Sequence, residues 1–128
     1  MMTPTEALFN EILALTKTGQ LRWHQISRSA HSDAMLHPER VCEQFEALWP
    51  RQGETWILLF IEKKHRERLH PLFGMSDVHE YELLVLEDGQ RLRKLDKWTL
   101  SWGHLCSLAA TIRHSGSVRE TGAISANS

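Results

Sequence analysis

The chain has 128 residues, of which 41% are hydrophobic and 24% charged, and its formal net charge is −1. This is the size and composition of one soluble globular domain with a core of its own. The longest apolar run, residues 56–61, is shorter than the roughly 20 residues that a membrane-spanning helix needs. The amino terminus lacks the features of a signal peptide, and Cys42 and Cys106 are too few for a disulfide framework. We therefore expect a cytoplasmic protein without membrane contact.

The first predicted element is a helix from about Pro4 to Thr18. Thr3 and Glu6 have the spacing of a capping box, and Pro4 fits the first helical position. Gly19 suits the left-handed conformation that ends many helices. One apolar stripe follows at helical spacing and predicts the buried face: Leu8, Phe9, Ile12, Leu13 and Leu15.

After Gly19 the periodicity changes to two, so Leu21 and Trp23 share one face of a predicted strand. Polar residues flank Trp23 because alternate strand residues face water. The alternation therefore predicts that Trp23 is a core residue packed on the first helix. Residues 27–40 have no period and are predicted to form a loop.

Residues 38–49 have two interpretations. Their apolar positions fit a helix that ends before Pro50, but Phe45, Ala47 and Trp49 also alternate as in a strand. The turn-like sequence PRQGE follows and leads into the next apolar run. This order is typical of a hairpin and favours the strand.

The remaining sheet is predicted from three stretches. Residues 56–61 lack alternation, which indicates a central strand covered on both faces. Residues 69–78 are predicted as a connection, and residues 81–87 as a further strand. The hairpin signal Asp-Gly then leads into a short return strand over residues 90–95.

A second amphipathic helix is predicted to begin near Trp98, with Asp96 or Thr99 as its N-cap. Its apolar positions recur at helical spacing: Trp98, Trp102, Leu105, Ala109 and Ile112. Residues 115–128 are predicted to be a disordered polar tail. Together these elements predict one α+β domain over residues 1–114, an antiparallel meander of about four strands covered by the amino- and carboxy-terminal helices in two layers.

Four stretches carry a resemblance: LTKTGQLRWHQ, FEALWPRQGETWILLFIE, YELLVLEDGQRL and LCSLAATIRHS. With them, residues 5–115 resemble small bacterial and phage-borne helix–β-meander–helix proteins of unassigned function. In those proteins a helix ends in a Thr-rich, Gly-capped turn, and a Trp-bearing strand and a meander lead to the closing helix. The resemblance implies this fold and no catalytic residue. Residues 27–40 and 62–70 depart from the compact pattern.

The eight histidines form no recognised metal motif. The closest groupings, His31 with His37 and His65 with His70, lack the spacing of HExxH and have no cysteine pair nearby. No nucleophile elbow or nucleotide-binding loop occurs. Cys106 and the nearest histidine would face different sides of a helix. We therefore predict no catalytic residue, no metal site and no cofactor.

Charged residues are segregated by sign along the chain. Residues 62–70 and 91–97 each contain four Lys or Arg, whereas residues 77–88 contain five carboxylates and neither Lys nor Arg. If the two basic stretches lie on neighbouring strands, seven cations share one side of the sheet: Lys63, Lys64, Arg66, Arg68, Arg91, Arg93 and Lys94. Such a patch suits phosphates or an acidic protein.

Trp49 stands beside Pro50 at the predicted hairpin tip, and exposed tryptophan is enriched in binding hot spots. Packing over the hairpin end is its equal alternative. The favoured hypothesis is a non-enzymatic protein of bacterial or phage origin that binds a protein partner through its sheet face or edge, with a homodimer as one form. The alternatives are nucleic-acid binding through the basic residues, and a small ligand-binding protein or enzyme that uses the acidic strand or the histidines.

Overall fold

The computed structural model describes the backbone of residues 2–70, 72 and 74–127, and the side chains of residues 2–68, 72 and 74–114. The element order is α1 Pro4–Lys17, β1 His24–Ile26, β2 Val41–Arg51, β3 Glu54–His70, β4 Gly74–Glu87, β5 Gln90–Leu95 and α2 Trp102–Asn127. All five strands form one antiparallel sheet in the order β1-β2-β3-β4-β5. The predicted α+β meander is confirmed.

Helix α1 begins as its sequence predicts. Thr3 Oγ1 accepts a hydrogen bond from the Glu6 backbone N–H at 3.1 Å, and Glu6 Oε1 accepts one from the Thr3 N–H at 3.2 Å. Gly19, just past the end of α1, has the expected positive φ of 81°. The Trp23 side chain is fully buried, and its Nε1–H donates to Thr16 Oγ1 at 3.0 Å. Trp23 is therefore the predicted anchor between α1 and the sheet.

The main core lies between the helices and one face of the sheet, termed the inner face. Both helices and four of the strands contribute buried side chains to it: Phe9, Ile12, Phe45, Trp49, Leu58, Phe60, Leu83, Val85, Leu95, Leu105, Leu108 and Ile112. The strand residues alternate, as expected when one face of a sheet is packed against helices. This confirms the predicted two-layer arrangement.

The opposite, outer face carries a second apolar cluster: Met35, Val41, Leu59, Ile61, Leu84 and Leu86. It is covered by residues 27–40, termed the outer cover, which include two short 3-10 helices, Ser32–Ala34 and Pro38–Arg40. Gln44 of β2 is buried, and its Nε2 donates to the carbonyl oxygens of Ser27 at 3.0 Å and Ala30 at 2.9 Å. The predicted loop is thus fastened onto the sheet by a buried amide.

The ambiguous stretch 38–49 resolves in favour of the strand, because β2 begins at Val41. The predicted connection over residues 69–78 is wrong. Strands β3 and β4 continue to pair as far as His70 and Gly74. Charged cross-strand neighbours such as Arg66 and Asp77 hold this part of the hairpin together. Their lack of apolar alternation hid it from the sequence pattern.

The predicted start of the second helix is also wrong. Helix α2 begins at Trp102, and Ser101 Oγ accepts from the His104 backbone N–H at 3.2 Å. Residues 96–99 form a separate turn, in which Thr99 Oγ1 accepts from the Asp96 N–H at 2.9 Å. The backbone of residues 115–127 belongs to α2 and their side chains lie outside the described part, so the disordered tail predicted over residues 115–128 stays a prediction. In the described ranges, no helix is both long and apolar enough to cross a membrane.

Candidate interaction surface

The two basic stretches do not lie on neighbouring strands. Residues 62–70 belong to β3 and residues 91–94 to β5, and β4 with its carboxylates lies between them. Each basic strand therefore meets the acidic strand. Four of the seven cations lie within 3.8 Å of a carboxylate: Lys63, Lys64, Arg66 and Lys94. The pairing of the two basic strands, on which the predicted basic face depends, is absent from the described sheet.

The register explains why charges are segregated along the chain. In the β3–β4 pair, Lys63 lies opposite Glu80 and Arg66 opposite Asp77. Both Lys64 Nζ and Arg66 Nε lie 3.8 Å from the Asp77 carboxylate. Opposite charges on facing strands stabilise the pairing, although exposed pairs contribute only about 0–1 kcal/mol each. The basic stretch 62–70 and the acidic stretch 77–88 thus lie on the two strands of one hairpin, β3 and β4.

Lys63 and Glu82 form a buried ion pair on the outer face. Their side chains are 3% and 8% exposed, and Lys63 Nζ lies 2.5 Å from Glu82 Oε2. Lys63 Nζ also donates to the carbonyl oxygen of Leu36, which ties the outer cover to β3. Lys94 Nζ of β5 lies 3.7 Å from Glu82 Oε1, a buried atom without a hydrogen-bond partner among the described residues. Each charge depends on the others for compensation.

A cleft of about 110 Å³ opens beside this pair. It is lined by Leu36, His37, Arg40, Lys63, Glu80, Tyr81, Glu82, Lys94, Asp96, Lys97 and Trp98. The carboxylates of Glu80, Glu82 and Asp96 each lie within ion-pairing distance of a lysine. Small-molecule sites typically have about 300–1,000 Å³. The cleft is therefore small, and its acids serve as partners of lysines.

The ion pair of Glu80 and Lys97 makes stability depend on pH. Lys97 Nζ donates to Glu80 Oε1 at 2.7 Å, and this hydrogen bond holds the pKa of Glu80 below its usual range. A carboxylate whose folded pKa is lowered stabilises the fold above its unfolded pKa of about 4.3, and loses that contribution as pH falls through the folded value.

We therefore expect Glu80→Gln to lower the free energy of unfolding by about 0.5 kcal/mol at neutral pH, after allowance for solvent screening. The difference from wild type should shrink as the pH falls below about 4. Urea denaturation across this pH range measures it. Glu54→Gln, at an exposed site, is the matched control. An equal loss in both variants, or a loss that grows in acid, would contradict the assignment.

Trp49 is buried and Trp98 is exposed, although the sequence offered Trp49 as a contact residue and placed Trp98 in the core. Trp49 is 7% exposed, because it lies on the inner face of β2 together with Ala47, two residues earlier. Its ring packs edge-to-face on Trp56 at 5.8 Å between centroids, and the Arg51 guanidinium lies 4.5 Å above it. Trp49 therefore packs over the hairpin end, which was the second of its two predicted roles. Trp98, expected in the core, is 82% exposed in the turn before α2.

Strands β3 and β4 extend beyond the rest of the sheet. Pairing of β2 with β3 ends at Lys63, and pairing of β5 with β4 ends at Leu83. The two-stranded part beyond these points, residues 64–70 and 74–82, is termed the arm. Within the described residues, neither edge of the arm pairs with another strand. Backbone N–H and C=O groups of such edges are available to an additional strand.

A groove of about 490 Å³ borders the β3 side of the arm and is termed the edge groove. It is lined by Arg28, Glu39, Arg40, Val41, Cys42, Lys64, His65, Arg66 and Asp77. Four of these are Arg or Lys and two are carboxylates, which leaves a positive excess of two with His65 neutral. His65 Nδ1 is buried and has no hydrogen-bond partner among the described residues. Sequence reasoning found Lys64 and Arg66 but missed Arg28 and Arg40.

Cys42 contributes the one thiol among the described residues that line the edge groove. Burial raises its pKa, and the nearby Glu62 carboxylate raises it further. A raised pKa keeps the thiol protonated at neutral pH, and the protonated form is a poor nucleophile. The described residues include no group of three His, Cys, Asp or Glu side chains arranged to hold a metal ion.

The helix–meander–helix order implied by the resemblance is present in the structure. No protein-family model, no curated protein and no solved structure matches the chain.

Proposed function

We propose that the chain is a non-enzymatic protein that binds a partner protein through the free edge of its arm. One observation carries the proposal: β3 and β4 pair with each other past the points where β2 and β5 stop. A two-stranded hairpin alone is marginally stable in water, whereas a third strand satisfies one edge and adds side-chain contacts. Sheet edges commonly recognise extended peptides by this kind of strand addition.

The β3 edge is the better of the two edges for such a partner. It borders the edge groove, which gives an incoming strand room and side-chain contacts on both sides. Residues of the outer cover, among them Arg28 and Arg40, line this groove together with Lys64 and Arg66. An added strand would therefore contact the arm and the outer cover at once.

Nuclear magnetic resonance of the isotope-labelled full chain tests the proposal. The chain is titrated with synthetic β-forming peptides of equal length and differing charge. We expect chemical-shift changes and slower amide exchange at residues 64–68 with at least one peptide, because added-strand hydrogen bonds protect the edge amides. Strand β1, at the far edge of the sheet, is the internal control. Absence of binding by every peptide, or changes confined to the surface around Trp98, would refute it.

A further inference from the structure

We propose that the strand bound at the β3 edge is an acidic, extended segment of a partner protein, with carboxylate side chains at alternate positions. This inference rests on the proposed function and specifies its partner. It follows from the charge of the edge groove, the alternation along β3 and the unsatisfied groups beside them.

The cations of β3 have the spacing that an acidic strand would match. Lys64, Arg66 and Arg68 are two residues apart, so they share one face of the strand. Directly opposite residues on a paired strand have Cβ atoms about 4.5–5.5 Å away. Carboxylates at every second position of the added strand would therefore face these cations in turn.

The cations are only partly neutralised within the chain. Lys64 and Arg66 share the single carboxylate of Asp77, at 3.8 Å each, which is longer than a hydrogen bond. The side chains of Lys64 and Arg66 are 47% and 70% exposed, so both are accessible to a further anionic group. In the described ranges, neither Arg28 nor Arg40 forms an ion pair. Lys64 and Arg66 are thus able to bind the alternating carboxylates of an added strand, whereas Arg28 and Arg40 belong to the outer cover on the other face of β3.

A two-fold pairing of β3 with the β3 strand of a second copy fits the same edge poorly. In a two-fold antiparallel pairing of β3 with its copy, residues of equal parity face each other across the strands. Lys64, Arg66 and Arg68 would then oppose one another in every such register. Like charges directly opposite each other are destabilising. The edge therefore favours a partner strand of opposite charge.

Nucleic acid is also less suited to the edge groove than an acidic peptide. No aromatic side chain is among the described residues that line it, so stacking with bases is not provided. The chain as a whole carries a formal net charge of −1. Long-range steering of a long polyanion such as nucleic acid is therefore weak, whereas a short acidic strand depends on the local cations of the edge groove.

Fluorescence anisotropy with three labelled peptides tests the inference: alternating Glu-Thr, Gln-Thr and Lys-Thr of equal length. We expect the Glu peptide to bind about tenfold tighter than the Gln peptide at low salt, and the Lys peptide not to bind. The double variant K64Q/R66Q should lose about tenfold in affinity for the Glu peptide. The control K17Q/R22Q removes two exposed cations outside the edge groove and should bind as wild type does. Equal urea midpoints of the two variants check their folding.

The outcomes separate the inference from the proposed function. Equal binding of the Glu and Gln peptides at residues 64–68 would overturn the acidic partner and leave strand addition standing. Failure of all peptides would remove both. Salt-sensitive binding of oligothymidylate that K64Q/R66Q abolishes would assign the edge to nucleic acid and overturn the inference. Self-association that protects the same amides would assign it to a second copy, with the same consequence.

Discussion

Replacement of Glu82 by leucine is expected to lower the free energy of unfolding by about 3–5 kcal/mol, the range typical of a broken buried ion pair. The variant leaves the Lys63 ammonium buried with the Leu36 carbonyl as its partner. It also removes one of the two carboxylates beside Lys94, which leaves Asp96 at 3.6 Å. An uncompensated charge inside the sheet, and not the loss of a favourable contact, is the source of the expected destabilisation.

The double variant K63M/E82L separates these two causes. Both charges are then absent and the apolar volume is kept, so we expect its stability to lie within about 1 kcal/mol of the wild type. Urea denaturation of the wild type, both single variants and the double variant completes the cycle. Glu54→Leu, at an exposed site, is the control and should change little. A double variant as unstable as E82L would mean that desolvation of the charges does not control this site.

The second large effect is expected at Trp23. Its side chain is fully buried between α1 and the sheet, so Trp23→Ala should lower the free energy of unfolding by about 3–5 kcal/mol through lost packing and a cavity. Trp98→Ala removes the same side chain from an exposed turn and should cost about 0.5 kcal/mol or less. The two variants remove the same side chain, and the two sites differ in burial and in the hydrogen bond from Trp23 to Thr16.

Thermal and urea unfolding of both variants measure this contrast. Trp23→Phe adds a third point, because it keeps an aromatic ring but removes the hydrogen bond to Thr16, which is worth about 1 kcal/mol. Comparable losses for Trp23→Ala and Trp98→Ala would contradict the placement of Trp98 in the solvent-exposed turn. A larger loss of unfolding free energy at Trp98 would support a second helix that begins near Trp98, as the apolar spacing predicts.

The sequence predicted best what depends on neighbours along the chain. The capping box of Thr3 and Glu6 and the alternation around Trp23 are local signals, and both are confirmed. The predicted start of α2 was wrong because Trp98 lies four residues before Trp102 and so extends the helical apolar spacing by one turn. Ser101 was the competing signal: its hydroxyl caps the helix directly before Trp102.

The candidate site was predicted less well because its parts come from distant strands. Lys64 and Arg66 were identified, but their acidic partner Asp77 lies across a hairpin that no apolar pattern revealed. The charge pattern predicts Lys63 as a surface cation, but its side chain is buried. Lys63 is two residues from the apolar Ile61, so the strand period already predicts that both side chains lie on the same face of β3. Arg28 could not be found, since only the folded outer cover brings it to β3.

Contact between the first and last helices has a consequence for synthesis on the ribosome. The Phe9 ring of α1 lies 5.3 Å from the His104 ring of α2, centroid to centroid, so the inner face closes only when both helices are present. The strands emerge in the order in which they pair, and the meander can grow as it is made. Residues 96–112 then take about 1–3 s to synthesise. Until α2 has formed, core side chains such as Leu58 and Phe60 lack part of their apolar surroundings, and such transiently exposed surface favours aggregation.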